Sequence, residues 1–174
     1  MKKKGFGLVA ACLSAAFAVL AFIGMAFKFV ATTYKMSGGG MSHKESYSAD
    51  MGEWIDMLES GADKMEAWQV ARVLMIIALL VIVAVAVLAI VQLFVENKAL
   101  ALATKITSIV SIVLTAVFFI CFFIGGAVLW ESNSASGVTT SLEVLPSAGP
   151  ILMALFGILA AVFALLSNKK KKAK

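Results

Sequence analysis

Four long apolar runs constrain this chain more than any other feature. The first extends from Phe6 to Phe27 and is broken only by Ser14; the second extends from Val70 to Val95, with an uninterrupted apolar centre from Val73 to Val91. The third covers Ile106 to Trp130 and the fourth Ile151 to Leu166. A bilayer core of roughly 30 Å needs about 20 helical residues, so the first three runs suffice as they stand. The fourth is extended to residue 148, because Pro150 then falls in the first helical turn, where its missing N–H is no loss. With 61% of its 174 residues hydrophobic, the chain cannot hide its apolar surface in a water-soluble core. The reading is a single integral membrane domain.

Lysines set the orientation. Lys2, Lys3 and Lys4 precede the first run, Lys98 and Lys105 lie between the second and third, and Lys169 to Lys172 and Lys174 follow the fourth, which makes ten of the fifteen basic residues. By the positive-inside rule both termini face the cytoplasm. The predicted layout is spans at 6–28, 70–95, 106–130 and 148–167, a cytoplasmic turn at 96–105, outer loops at 31–68 and 131–147, and a basic tail at 168–174. The net charge of +5 reflects this end clustering and not nucleic-acid binding. Val9-Ala10-Ala11-Cys12 has the form of a lipoprotein cleavage box, but apolar residues continue beyond the cysteine, so a retained helix is expected. The Met-Lys-Lys-Lys start suits a bacterial plasma membrane. The alternative is the endoplasmic reticulum, since Lys171-Lys172-Ala173-Lys174 has the dilysine retrieval form.

In lipid, helices associate through small residues. Gly7, Ala11, Ser14, Ala18 and Ala21 share one face of the first span; Ala154, Gly157, Ala161 and Ala164 share one face of the fourth. Thr104, Ser108, Ser111 and Thr115 form a hydroxyl stripe on the third. That stripe is read as helix packing, each hydroxyl bonding a carbonyl one turn earlier; its alternative is a polar path for an ion or small solute. No acidic residue falls inside any span, which disfavours proton-coupled transport.

Nothing in the chain has the spacing of a catalytic site. The one histidine, His43, lies in the polar stretch Gly-Gly-Gly-Met-Ser-His-Lys. Cys12 and Cys121 fall about 9 Å and about 22 Å into their helices, at 1.5 Å per residue, so they are expected to stay unpaired. Met36, Met41, His43, Met51 and Met57 include soft donors suited to copper(I). Their irregular spacing and single histidine lead to the expectation of no metal site and no cofactor.

The first outer loop carries the most pattern. After Gly38-Gly39-Gly40, read as a flexible link, Met51, Trp54, Ile55, Leu58, Ala62 and Met65 fall on one helical face and Glu53, Asp56, Glu59, Asp63 and Glu66 on another. Asp50 to Glu66 holds six acidic residues and one lysine. This amphipathic helix is expected to cap the bundle's outer end, with a capping-box-like break at Ser60-Gly61-Ala62-Asp63 and with Trp54 and Trp68 as interfacial anchors. Trp54, Leu58, Glu53, Asp56, Glu59, Trp68 and Arg72 form a candidate partner surface. The second outer loop, small and polar, reads as flexible or briefly extended.

The stretch Trp68-Gln69-Val70-Ala71-Arg72-Val73-Leu74-Met75-Ile76 resembles the start of the second helix of claudins, and the layout of four spans with a larger first outer loop is similar. The resemblance covers about nine residues; the Gly-Leu-Trp segment and cysteine pair of the claudin first loop are absent. It implies a tetraspan adhesion or scaffold role and places Arg72 at the outer end of that helix.

The expectation is therefore an all-α, four-transmembrane-helix bundle with an extracytoplasmic amphipathic helix. Its expected role is non-enzymatic: an interaction, scaffold or accessory subunit that meets the lipid bilayer and a membrane-protein partner or a second copy of itself, without nucleic acid. The alternative is a small transporter or channel component using the hydroxyl stripe.

Overall fold

The computed structural model describes residues 2–59, 66–95, 97–129, 131–135 and 138–168. The order of elements is α1 (Lys2–Gly24), β1 (Val30–Gly38), β2 (Met41–Ala49), α2 (Met51–Glu59), α3 (Glu66–Phe94), α4 (Lys98–Val128), β3 (Glu131–Ala135), β4 (Val138–Pro146) and α5 (Ala148–Asn168). Helices α1, α3, α4 and α5 are long and apolar enough to cross a membrane. Their outward faces stay apolar, with Leu80 67% and Val19 60% exposed, as expected where lipid is the solvent.

The chain is not all-α. Both segments read as loops build one antiparallel sheet in the order β2-β1-β4-β3. β1 and β2 form a hairpin whose last pair is Gly38 with Met41. Gly39 and Gly40 both have positive φ, 59° and 83°, as a two-residue type I′ turn requires. The glycine triplet is thus a turn that sets register, not a flexible link. Val30, Thr32, Thr33 and Tyr34 are good strand formers, but polar residues fall on both faces of the hairpin, so the alternation that signals a strand is faint. β1 lies between β2 and β4, and it pairs with β4 over its full length, from Val30–Pro146 to Gly38–Val138. The partner that makes the hairpin more than marginal comes from the far end of the chain.

Local signals hold the helix ends. Asp50 and Glu53 form a reciprocal capping box at the start of α2: the Asp50 N–H donates to Glu53 Oε2 at 2.8 Å and the Glu53 N–H donates to Asp50 Oδ1 at 3.0 Å. Asn97 caps α4 by accepting from the Ala99 N–H at 2.9 Å. Helix α4 begins at Lys98, so residues 98–105 form its first turns. The segment expected to hold a second capping box, Ser60 to Asp63, lies outside the described residues, as does the tail Lys169–Lys174.

Sheet and bundle share one core. Phe29, Val30, Ala49, Trp54, Trp68, Met75, Phe118, Phe122, Val144 and Met153 are buried together. The backbone joins the two parts as well: the Phe29 N–H donates to the Ala49 carbonyl at 2.7 Å, Ser147 N–H to the Phe29 carbonyl at 2.9 Å, and Gly149 N–H to the Lys28 carbonyl at 2.8 Å.

Candidate interaction surface

The end of the molecule that carries the sheet and α2, here called the head, is built on an aromatic cluster. Trp54 is fully buried and Trp68 is 2% exposed. The Trp54 ring lies 5.2 Å from Phe122, 5.7 Å from Phe29 and 6.2 Å from Trp68, centre to centre. Trp68 stacks on Phe122 at 5.8 Å and donates its indole N–H to the Phe122 carbonyl at 2.9 Å. Gly125 makes this possible, because a Cβ there would overlap the Trp68 indole. The two tryptophans are therefore core residues and not interfacial anchors, and neither offers its ring to a partner. The cost of burying a free indole N–H is carried by Trp54 Nε1, which has no partner.

The acidic residues divide by task. Glu53 caps α2 and lies 3.6 Å from Lys28 Nζ; Asp50 lies 3.8 Å from the same nitrogen. The backbone N–H of Glu53 holds the Asp50 carboxyl below the usual carboxylate range, aided by Lys28. The backbone N–H of Asp50 and the Tyr47 hydroxyl do the same for Glu53. The bond to Glu53, with burial and the nearby acids, pushes the Tyr47 phenol up. Glu59 pairs with Arg72, whose Nη2 donates to Oε1 at 3.2 Å. Asp56 is exposed. Leu58 lies on α2, with its side chain outside the described set.

Sequence reading did not identify the sheet residues. Lys35 and Glu143 meet across β1 and β4 at 2.6 Å. Thr32, Tyr34, Glu45, Ser46 and Tyr47 line an open cleft of about 350 Å³. The signal for them was the Gly39-Gly40 pair between runs containing Tyr34 and Tyr47.

The small-residue stripes face the bundle interior. Ala11, Ala18, Ala161 and Ala164 are buried, and Ser14 Oγ donates across to the Ala160 carbonyl at 2.8 Å, tying α1 to α5. Gly7 approaches the Ser167 carbonyl, and a Cβ on Gly157 would lie 2.7 Å from Ile82 Cδ1. On α4, Thr104 donates to the Leu100 carbonyl at 3.0 Å and receives the Gln92 amide at 2.5 Å. Ser108, Ser111 and Thr115 are fully buried, yet their oxygens have no hydrogen-bond partner. The expected bond to the preceding turn thus forms at Thr104 and is not made by those three. Cys12 and Cys121 are both free. Among the described residues no group of three His, Cys, Asp or Glu side chains is placed to hold a metal ion. No protein-family model matches the chain, and no curated protein matches it at a significant level.

Proposed function

We propose that this chain is a non-enzymatic integral membrane protein acting as an interaction, scaffold or accessory subunit, with its head on the outer side and both termini in the cytoplasm. The observation that carries this reading is the fusion of head and bundle through the buried cluster of Phe29, Trp54, Trp68 and Phe122. A head set rigidly on four apolar helices presents its outer surface at a fixed height and angle, which suits recognition better than a tethered loop would. Asp56 is the acidic residue of α2 best suited to a partner, because Glu53 and Glu59 are engaged within the chain. The partner is a membrane protein or a second copy of this chain. The lysine-rich ends favour a bacterial plasma membrane, with the endoplasmic reticulum as the alternative. The resemblance to claudins around Arg72 supports an adhesion or scaffold role by analogy.

The rival reading, a transporter or channel component, draws on one observation: the unpartnered hydroxyls of Ser108, Ser111 and Thr115. The tight contact of Gly157 with Ile82 beside Thr115 weighs against an open path in this conformation. Native mass in mild detergent, with identification of co-purifying chains, tests the proposal. A stoichiometric complex that is lost in Asp56→Lys and kept in the triple variant Ser108→Ala, Ser111→Ala, Thr115→Ala is the expected result. A lone monomer whose solute flux in liposomes is abolished by the triple variant would replace it with the rival.

A further inference from the structure

Strand register brings together three soft or borderline metal donors that lie apart in sequence. In the β1–β2 hairpin Met36 pairs directly with His43, and Met41 pairs with Gly38. Directly opposed residues share a face, and so do residues two apart on one strand. Met36, Met41 and His43 therefore occupy one face at the tip of the sheet. Opposed side chains in an antiparallel pair start roughly 5 Å apart at Cβ, and diagonal ones roughly 7–8 Å. Methionine is unbranched and flexible, so both sulfurs can adjust toward an ion held in the imidazole plane at Nδ1 of His43. All three side chains are accessible: Met36 is 43% exposed, Met41 80%, and the His43 side chain 64%.

The histidine is already oriented. His43 Nε2 lies 2.9 Å from Glu45 Oε1. A carboxylate only accepts, so Nε2 carries the hydrogen and donates it. In the neutral ring that leaves the Nδ1 lone pair free. A carboxylate behind a histidine is the usual outer support of a metal-bound imidazole, fixing its tautomer and raising its basicity. Glu45 shares the face of Met41 and His43 because it follows at the next alternate position of β2.

We propose that Met36, Met41 and His43 form a binding site for copper(I), with Glu45 as the support of His43. Two thioethers and one imidazole are a soft donor set, which favours a soft monovalent ion over zinc, magnesium or calcium. The Gly39-Gly40 turn holds the register on which the three donors depend.

The test uses the full-length protein in detergent micelles, copper(I) supplied under reducing conditions, and a chromophoric copper(I) chelator as competitor. Silver(I) serves as the diamagnetic probe for methyl spectra of protein labelled at methionine. The wild type is expected to retain one copper(I) per chain, and silver(I) is expected to shift the Met36 and Met41 methyls while leaving the buried Met75 and Met153 methyls in place. Replacing both Met36→Leu and Met41→Leu, or His43→Ala alone, should abolish retention, and Glu45→Ala should weaken it about 10- to 100-fold. Met51→Leu should leave it unchanged. Gly40→Val, which touches no donor, should weaken binding by shifting the register; unchanged far-UV circular dichroism of the other variants keeps their losses interpretable. Failure of the wild type to hold copper(I), retention in the Met36→Leu/Met41→Leu variant, or displacement of copper(I) by equimolar zinc(II) would overturn the proposal.

Discussion

At the residue scale, Trp54 and Trp68 look alike in sequence and differ in the structure. Both are buried beside Phe122, but only Trp68 has a partner for its indole N–H. Replacement by phenylalanine removes a made hydrogen bond at Trp68 and an unsatisfied donor at Trp54. A net intramolecular hydrogen bond contributes about 1 kcal/mol, and leaving a buried group unpaired costs about 1–3 kcal/mol. Trp68→Phe should therefore destabilise the protein more than Trp54→Phe, although both lose ring area. Thermal unfolding in detergent, followed by the remaining tryptophan emission, measures the difference; equal losses would mean that shape alone decides. The same reasoning explains why these residues were misplaced in sequence reading. A tryptophan next to an apolar run is equally compatible with an interfacial belt and with a core, and only its neighbours distinguish the two.

At the element scale, α2 depends on ionised carboxylates. Asp50 and Glu53 have pKa values held down in the folded state by each other's backbone N–H, by Tyr47 and by Lys28. A carboxylate whose folded pKa lies below its unfolded value stabilises the fold above the unfolded value, and that contribution disappears as pH falls through the folded one. The raised Tyr47 phenol acts at the other end: its contribution is complete below its unfolded pKa and is lost as pH rises through the folded value. The unfolding temperature should thus fall on acidification below the ordinary carboxylate range, and the variant Asp50→Asn/Glu53→Gln should show a flatter acid limb. An unchanged acid limb would remove the cap from the account of α2. These groups are exposed, so the expected change is modest and shrinks with salt. The amphipathic pattern from Met51 onwards was legible because a helix of this kind is written in spacing along one segment. The strands were not, because Thr32, His43 and Glu45 fall among Tyr34, Met36, Met41 and Tyr47 on the face that reaches beyond the core, which blurs the apolar alternation.

At the scale of the whole molecule, the sheet unites two connecting segments separated by two long helices. Breaking β4 should therefore release β1 and β2. Thr140 lies where β4 is paired on both edges, opposite Met36 on one side and Asn133 on the other. A proline at a central position removes a ladder donor. Thr140→Pro should abolish amide-exchange protection in the β1–β2 hairpin while α1, α3, α4 and α5 keep theirs; protection retained in the hairpin would mean that it stands without β4. The four apolar runs, their length and the lysines at their ends were settled by sequence alone, because hydropathy and charge belong to each residue and sum along a segment. The sheet, the burial of both tryptophans and the meeting of Met36, Met41 and His43 on one face were decided only by tertiary structure. Those features depend on pairs of segments, such as Val30–Gly38 with Val138–Pro146, and the register between two distant strands is written in neither strand by itself.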